Sequence, residues 1–347
     1  MPAIASVAEA DLSLFRRELD GFVPDRIFDA HAHLWARAHV PQGSNPVFES
    51  IAQEVVGLEE YRRFMAAMLP GREIAGGLFI PGAVGAQGGD LIAENELVAR
   101  EVAADGRCRG ALLIAPEMDD ETVRAEVRRL RPAALKCYHL RSKSQPTWDA
   151  EIPMYLPEAQ VQVAHEEGLC IVLHMVRSRA LADPSNQSWI RCYCERFPKM
   201  KLILAHAGRG FNPYHTIEGI GMLRDLPNLW CDMSAVTEVG ACEAIIRALG
   251  HGRLLYGSDF PVSHLRGRCV SVGDGFVWLY EETLNWETVS FQPVQPTLVG
   301  LESLRALKQA AWHCHLSDRQ VEDIFYNNAV HLLGVDARSV SHAVQMC

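Results

Sequence analysis

Eight short apolar runs, each rich in Ile, Leu, Val or Ala and bounded by Gly, Pro or Asp, recur along this chain and alternate with longer amphipathic stretches. They are RIFDAHAH (26–33), EIAGGLFI (73–80), GALLIAP (110–116), AALKCY (133–138), LCIVLHM (169–175), KLILAHA (201–207), LWCDMSA (229–235) and RLLYGSDF (253–260). Near-continuous apolar runs of this length suit parallel strands buried on both faces. The stretches between them read as helices at 50–69, 91–105, 119–130, 158–167, 186–197 and 241–249. Gly106, Gly168 and Gly250 are their stop signals, because glycine readily takes the left-handed conformation after a last helical turn. Eight strands alternating with helices predict an α/β fold, a (β/α)8 TIM barrel. An open doubly wound sheet competes, but no glycine-rich phosphate loop follows the first strand.

The barrel is expected over residues 26–335, preceded by a helical extension at 1–25 and followed by a tail at 336–347. One insertion, at about 264–300, breaks the rhythm, being long, aromatic and punctuated by Gly and Pro. A loop of that kind at a barrel mouth is more often functional than idle. Lid and subunit contact are both open to it, and a homodimer is an expectation on that ground.

Composition narrows the function classes. At 48% hydrophobic and 22% charged residues the chain can bury a large core. A net charge of −10 argues against nucleic acid or an anionic membrane as the main partner. No run approaches the roughly 18 apolar residues of a membrane span. The opening residues lack a basic region followed by an apolar one, so a cytoplasmic protein is expected. The 10 cysteines are scattered without paired CxxC sets, and Cys137, Cys170, Cys231 and Cys242 fall in predicted strands or helices, as buried thiols do.

FDAHAHLW (28–35) sets His31 and His33 one residue apart. With 14 His in the chain such a pair arises readily by composition, and WHCHLSD repeats the spacing at His313 and His315 in a stretch that reads as helix. A two-residue step turns helical side chains about 200° apart, whereas on a strand it leaves both on one face. Only the first pair is preset to chelate. Other strand ends add Lys136 on the fourth strand, His174 on the fifth, His206 on the sixth and Asp259 on the eighth. Barrel enzymes keep their active sites at those ends. Burying such a group unpaired costs on the order of 1–3 kcal/mol, and a shared metal removes the cost. Three neutral imidazoles and one carboxylate suit one divalent ion, zinc or manganese, which would supply an activated water. Asp259 would then be both ligand and nearest base, with His206 facing the substrate carbonyl or the metal.

DAHAHL (29–34), LKCYH (135–139), VLHM (172–175), FPKMKLILAHAG (197–208), LYGSDFP (255–261) and SDRQVEDIFYNNAVHLLGV (317–335) together resemble the amidohydrolase superfamily. The likeness is to the amidohydrolase-related branch that includes carboxymuconate-semialdehyde decarboxylases, resorcylate-type decarboxylases and dicarboxylate lactonases. The resemblance implies that His31, His33, His174 and Asp259 hold the metal and that Asp259 also shuttles a proton. It implies that His206 polarises the reacting group or, in some branches, adds a ligand. Lys136 corresponds to a lysine that is carboxylated and bridging in binuclear branches; the mononuclear branch resembled here implies a free lysine that meets an anionic substrate. Asn328 resembles the family's closing motif and reads as a packing or capping residue.

Lys136, Arg141, Arg177, Arg209, Arg266 and Arg268 all follow predicted strand ends, which predicts a locally basic mouth on an acidic protein. Arginine forks suit carboxylates. A small anionic substrate with at least one carboxylate is therefore expected, bound by Lys136, Arg141, Arg177 and Arg209. Metal-dependent hydrolysis of an amide, lactone or similar carbonyl is the expected reaction. Non-oxidative decarboxylation uses the same residues, and a catalytically silent barrel serving as a binding subunit is the third reading.

Overall fold

The computed structural model describes residues 4–43, 46–82, 88–289 and 292–335; the tail expected at 336–347 lies outside them. The strands are β1 (Arg26–Ala36), β2 (Val55–Val56), β3 (Glu73–Pro81), β4 (Cys108–Leu113), β5 (Ala134–Cys137), β6 (Cys170–Leu173), β7 (Lys201–Leu204), β8 (Leu229–Asp232) and β9 (Leu254–Leu255). They form one α/β sheet in the order β2-β1-β3-β4-β5-β6-β7-β8-β9. The two-residue β2 pairs antiparallel with β1, and every other pair is parallel. β1 and β3 to β9 coincide with the eight apolar runs. Beyond β9 the chain continues beside β1. Ala30 N–H donates to the Tyr256 carbonyl at 2.9 Å, Asp259 N–H to that of His31 at 2.7 Å, and His33 N–H to that of Phe260 at 2.9 Å.

Alternation along the strands divides the core in two. Ala134, Cys170, Val172 and Ile203 face an inner cluster, whereas Leu135, Cys137, Ile171, Leu173, Leu202 and Leu204 pack outward against the helices. In β1 the alternation changes phase. Phe28 and Ala30 belong to the inner cluster, Ala32 and Leu34 to the outer one, and the pairing register with β3 shifts between Asp29 and Ala32. Such an irregularity re-aims the residues that follow it. Here it gives His31 and His33 the inward direction that strict alternation from Phe28 would have given to Ala32 and Leu34. One end of the inner cluster is filled by Tyr326, Ala329, Leu332, Leu333 and Val335 of the closing segment.

Helix ends follow the expected chemistry. Asp119 and Asp183 cap Asp120–Leu130 and Pro184–Arg196 by accepting from Thr122 N–H at 2.8 Å and Ser185 N–H at 2.9 Å. Gly168, at φ 69°, ends Glu158–Glu167. Two expectations shift. The helix expected at 50–69 spans only Leu58–Met68, because Gly57 interrupts it and the preceding Val55–Val56 joins the sheet. Leu91–Ala103 stops before Gly106, which is not at positive φ.

Within the 264–300 insertion, β10 (Gly267–Val272) and β11 (Gly275–Tyr280) form an antiparallel hairpin. The register pairs Val272 with Gly275, leaving Gly273 and Asp274 as the turn. Gly273 takes φ 56°, as the first position of a tight hairpin turn requires. The N-terminal extension forms a helix at Glu9–Leu14 continued by a wider turn at Phe15–Leu19. It is tied to the insertion by a buried ion pair between Asp11 and Arg266 at 2.7 Å. Among the described residues no helix is long and apolar enough to cross a membrane.

Candidate metal centre

His31 and His33 leave β1 on the same side and meet Asp259, which lies four residues beyond β9 at φ 55°. One ligand atom from each of the three lies within 4.8 Å of the other two, the only group of this kind among the described residues. Asp259 Oδ1 is 3.6 Å from His31 Nε2 and 3.5 Å from His33 Nε2. The approach depends on Gly257, where a Cβ would stand 2.8 Å from that of His31.

The hydrogen bonds show which ring nitrogens are free. His31 Nδ1 lies 2.9 Å from Asp232 Oδ2, at the end of β8. A carboxylate only accepts, so Nδ1 carries the proton and His31 Nε2 presents a lone pair. That atom is buried without a hydrogen-bond partner, as is His33 Nδ1. Burial pushes His31 down to about 4 and His33 below its usual value, against the pull of Asp232 and Asp259. Both rings are therefore neutral at pH 7, the state in which imidazole binds metal. An orphaned buried nitrogen beside a second imidazole and a carboxylate fits a divalent cation.

His206 follows β7, its ring centroid 5.1 Å from that of His31 and 5.0 Å from that of His174. Its Nδ1 is 2.9 Å from both the carbonyl and the hydroxyl of Ser234. His174 follows β6 and lies outside the tight group of three. Its ring rests against Tyr138 at 4.7 Å and is held well below its normal pKa by burial, then by His206 and Lys136. Lys136, on β5, is 1% exposed, and burial lowers its pKa although Asp232 and Asp259 oppose this.

These residues line a cavity of about 240 Å³. His31, His33, Lys136, His174, His206 and Asp259 supply its polar wall, and Phe48, Tyr138, Phe211, Trp278 and Tyr280 its aromatic one. Trp278 and Tyr280 come from β11, so the hairpin supplies part of the cavity wall. Of the six cations expected at the mouth, Lys136 alone is in this lining. Arg177 pairs with Asp183 at 3.0 Å, and Arg209 donates to the Arg177 carbonyl at 2.9 Å while lying over Phe276. Arg141 donates to the Gly89 carbonyl, Arg266 pairs with Asp11, and Arg268 lies 3.6 Å from Glu302. His313 pairs with Glu243, and His315 lies past the end of Val299–His313, so the second His-x-His pair is split. Asn328 donates to the carbonyls of His251 and Leu254, a tie between the closing segment and the start of β9.

Sequence reasoning passed over Asp232 and Ser234, although Asp232 ends an apolar run just as His174 and Asp259 do. Asp29, which the sequence sets at the same strand end as His31 and His33, is taken up by other partners: its carboxylate accepts from His31 N–H, Ser258 N–H and the Tyr61 hydroxyl. Burial raises Asp29 to about 6, with those bonds opposing the shift.

Known proteins bear on this geometry. An L-fucono-1,5-lactonase from Burkholderia ambifaria is 28% identical over 126 residues; the match takes in 31% of this chain and 42% of that protein, so the chain spans less than half the length of this curated relative. An amidohydrolase from Burkholderia multivorans superposes with TM-score 0.58 at 14% identity, covering 89% of this chain and 99% of that one, and its zinc-bound form gives 0.55. A dihydroxybenzoic acid decarboxylase from Polaromonas sp. JS666, with bound manganese and 2-nitroresorcinol, gives 0.51 at 14% identity over 92% of this chain and 100% of that one. At such identities these three structures speak for the fold alone. The Amidohydro_2 family model, described as amidohydrolase, matches residues 28–335, and the chain accordingly belongs to the amidohydrolase family and is an enzyme of that type.

Proposed function

We propose that this chain is a metal-dependent hydrolase built as a (β/α)8 barrel, acting on an amide, lactone or similar carbonyl in a small carboxylate-bearing substrate. The observation that carries the reading is the convergence of His31, His33 and Asp259, with His31 Nε2 buried and unpartnered. These three, with His174 of the same cavity wall, would hold one divalent ion; zinc is the first candidate and manganese the second. When bound, the ion supplies a Lewis acid and lowers the pKa of water. Asp259, 3.6 Å from His31 Nε2 and 3.5 Å from His33 Nε2, would be both ligand and the base that carries a proton from the attacking water to the leaving group. With its Nδ1–H committed to Ser234, a neutral His206 keeps Nε2 as an acceptor, which suits a proton acceptor or an added ligand better than a donor to a carbonyl. Lys136 is the cation placed to meet a substrate carboxylate. Arg141, Arg177 and Arg209 are read as outer contacts, since none is in the cavity lining.

Decarboxylation is the second reading, favoured by the wall of Phe48, Tyr138, Phe211, Trp278 and Tyr280, which suits a planar unsaturated acid. Products separate the two. Incubating the metal-loaded enzyme with a panel of lactones, amides and unsaturated carboxylic acids should yield acid from ring opening or amide cleavage without carbon dioxide. Release of carbon dioxide in step with turnover would overturn hydrolysis in favour of the second reading.

A further inference from the structure

Asp232, Met233 and Ser234 follow directly from the apolar run of β8, and two of their side chains reach two of the site's imidazoles, those of His31 and His206. Asp232 divides its two oxygens. Oδ2 lies 2.9 Å from His31 Nδ1, while Oδ1 accepts from the backbone N–H of His206 at 3.0 Å, the backbone N–H of Ser234 at 3.1 Å and the Ser234 hydroxyl at 2.5 Å. The hydroxyl proton is spent on Asp232, so toward His206 Nδ1 the serine oxygen accepts, as the Ser234 carbonyl does. We propose that Asp232 and Ser234 form a bracket that sets the tautomers of both His31 and His206, with Asp232 as the positioning residue that keeps His31 Nε2 free to bind metal. Partners of this kind are known to orient metal-binding histidines in general. Here one carboxylate and its neighbouring serine serve two rings from one strand end. The consequence for metal binding rests on the proposed metal site; the tautomers themselves do not.

The bracket makes a specific prediction for the isosteric change Asp232→Asn. Three donors converge on the Oδ1 position, so the amide oxygen must occupy it, and the amide NH2 must then face His31 Nδ1. His31 Nδ1 has to accept, its proton moves to Nε2, and the atom needed by the metal is blocked. The Ser234 contacts to His206 survive, so the tautomer of His206 stays as it was. A loosened fold would disturb both rings together.

Histidine-selective 15N labelling of the metal-free protein reads which nitrogen of each ring is protonated, and competition with a chelator reads zinc affinity. Wild type should show His31 protonated at Nδ1. Asp232→Asn should show it protonated at Nε2 with His206 unchanged, and should bind zinc about 10- to 100-fold more weakly. Zinc affinity unchanged in Asp232→Asn, or a His31 ring insensitive to the substitution, would overturn the bracket. Should Asp232→Asn not fold, the wild-type spectrum still decides, since His31 protonated at Nε2 contradicts the proposal outright. Wild-type protein with the expected tautomers but no zinc affinity would refute the metal site and leave the bracket standing.

Discussion

Lys136 carries its ammonium into a cavity that leaves the residue 1% exposed, and among the described residues no carboxylate lies within ion-pair distance of it. Such a charge is expensive to bury without a partner, and a substrate carboxylate is the partner the site would supply. Lys136→Met should therefore raise KM for the true substrate by tenfold or more, about 1.4 kcal/mol, while Tm holds or rises; an unchanged KM would contradict this role. His264 shows the same cost in neutral form. Its Nε2–H donates to the Phe64 carbonyl and its Nδ1 accepts from Ser263, both at 3.1 Å, and burial pushes it from 6.5 down to about 4. As pH falls the unfolded chain takes up the proton first, so stability is fully present above about 6.5 and drains away toward 4, by on the order of 3 kcal/mol. His264→Gln should flatten the fall of Tm across that window, measured by calorimetry at stepped pH; a slope equal to that of wild type would count against it.

At the scale of elements, the site depends on where strands end. The eight runs were legible because parallel strands buried on both faces leave little room for polar residues, so His31, His33, Lys136, His174, His206 and Asp259 stand out against them. The same contrast reaches Asp232. The phase change in β1 was not legible, because the sequence alternates smoothly through it and only pairing with β3 produces the shift. The surroundings of the arginines were hidden for a related reason: a loop position after a strand says nothing of which carboxylate waits nearby, and the Asp11 that pairs with Arg266 comes from the N-terminal extension. The hairpin could have been read from Gly273 and Asp274 between alternating apolar residues, but its aim into the cavity could not. Trp278 stacks on Tyr280 at 5.4 Å with 7° between planes and meets Phe211 edge-on at 5.5 Å. Trp278→Ala should raise KM several-fold with little change in Tm, because the residue is only half-buried. Steady-state kinetics with unchanged KM would remove the hairpin from substrate binding.

At the scale of the whole molecule, residues far apart in the chain are brought to one place by the order of the sheet. β1 brings His31 and His33, and the segment beyond β9 returns beside β1 to bring Asp259, with the Asp259 N–H bonded to the His31 carbonyl. Asp29 ties the same two segments through His31 N–H and Ser258 N–H. The closing residues Tyr326 to Val335 fill one end of the inner cluster, and the N-terminal extension is fastened to the insertion through Asp11 and Arg266. Strand order and the His31–His33–Asp259 cluster are thus two consequences of one arrangement. The most direct measurement is metal content by mass spectrometry after dialysis, on wild type and on folded His31→Ala and Asp259→Ala. One equivalent of zinc or manganese per wild-type chain, falling to a small fraction in both variants, is the predicted result. Wild-type protein that stays folded without taking up metal, or variants that keep a full equivalent, would contradict the account.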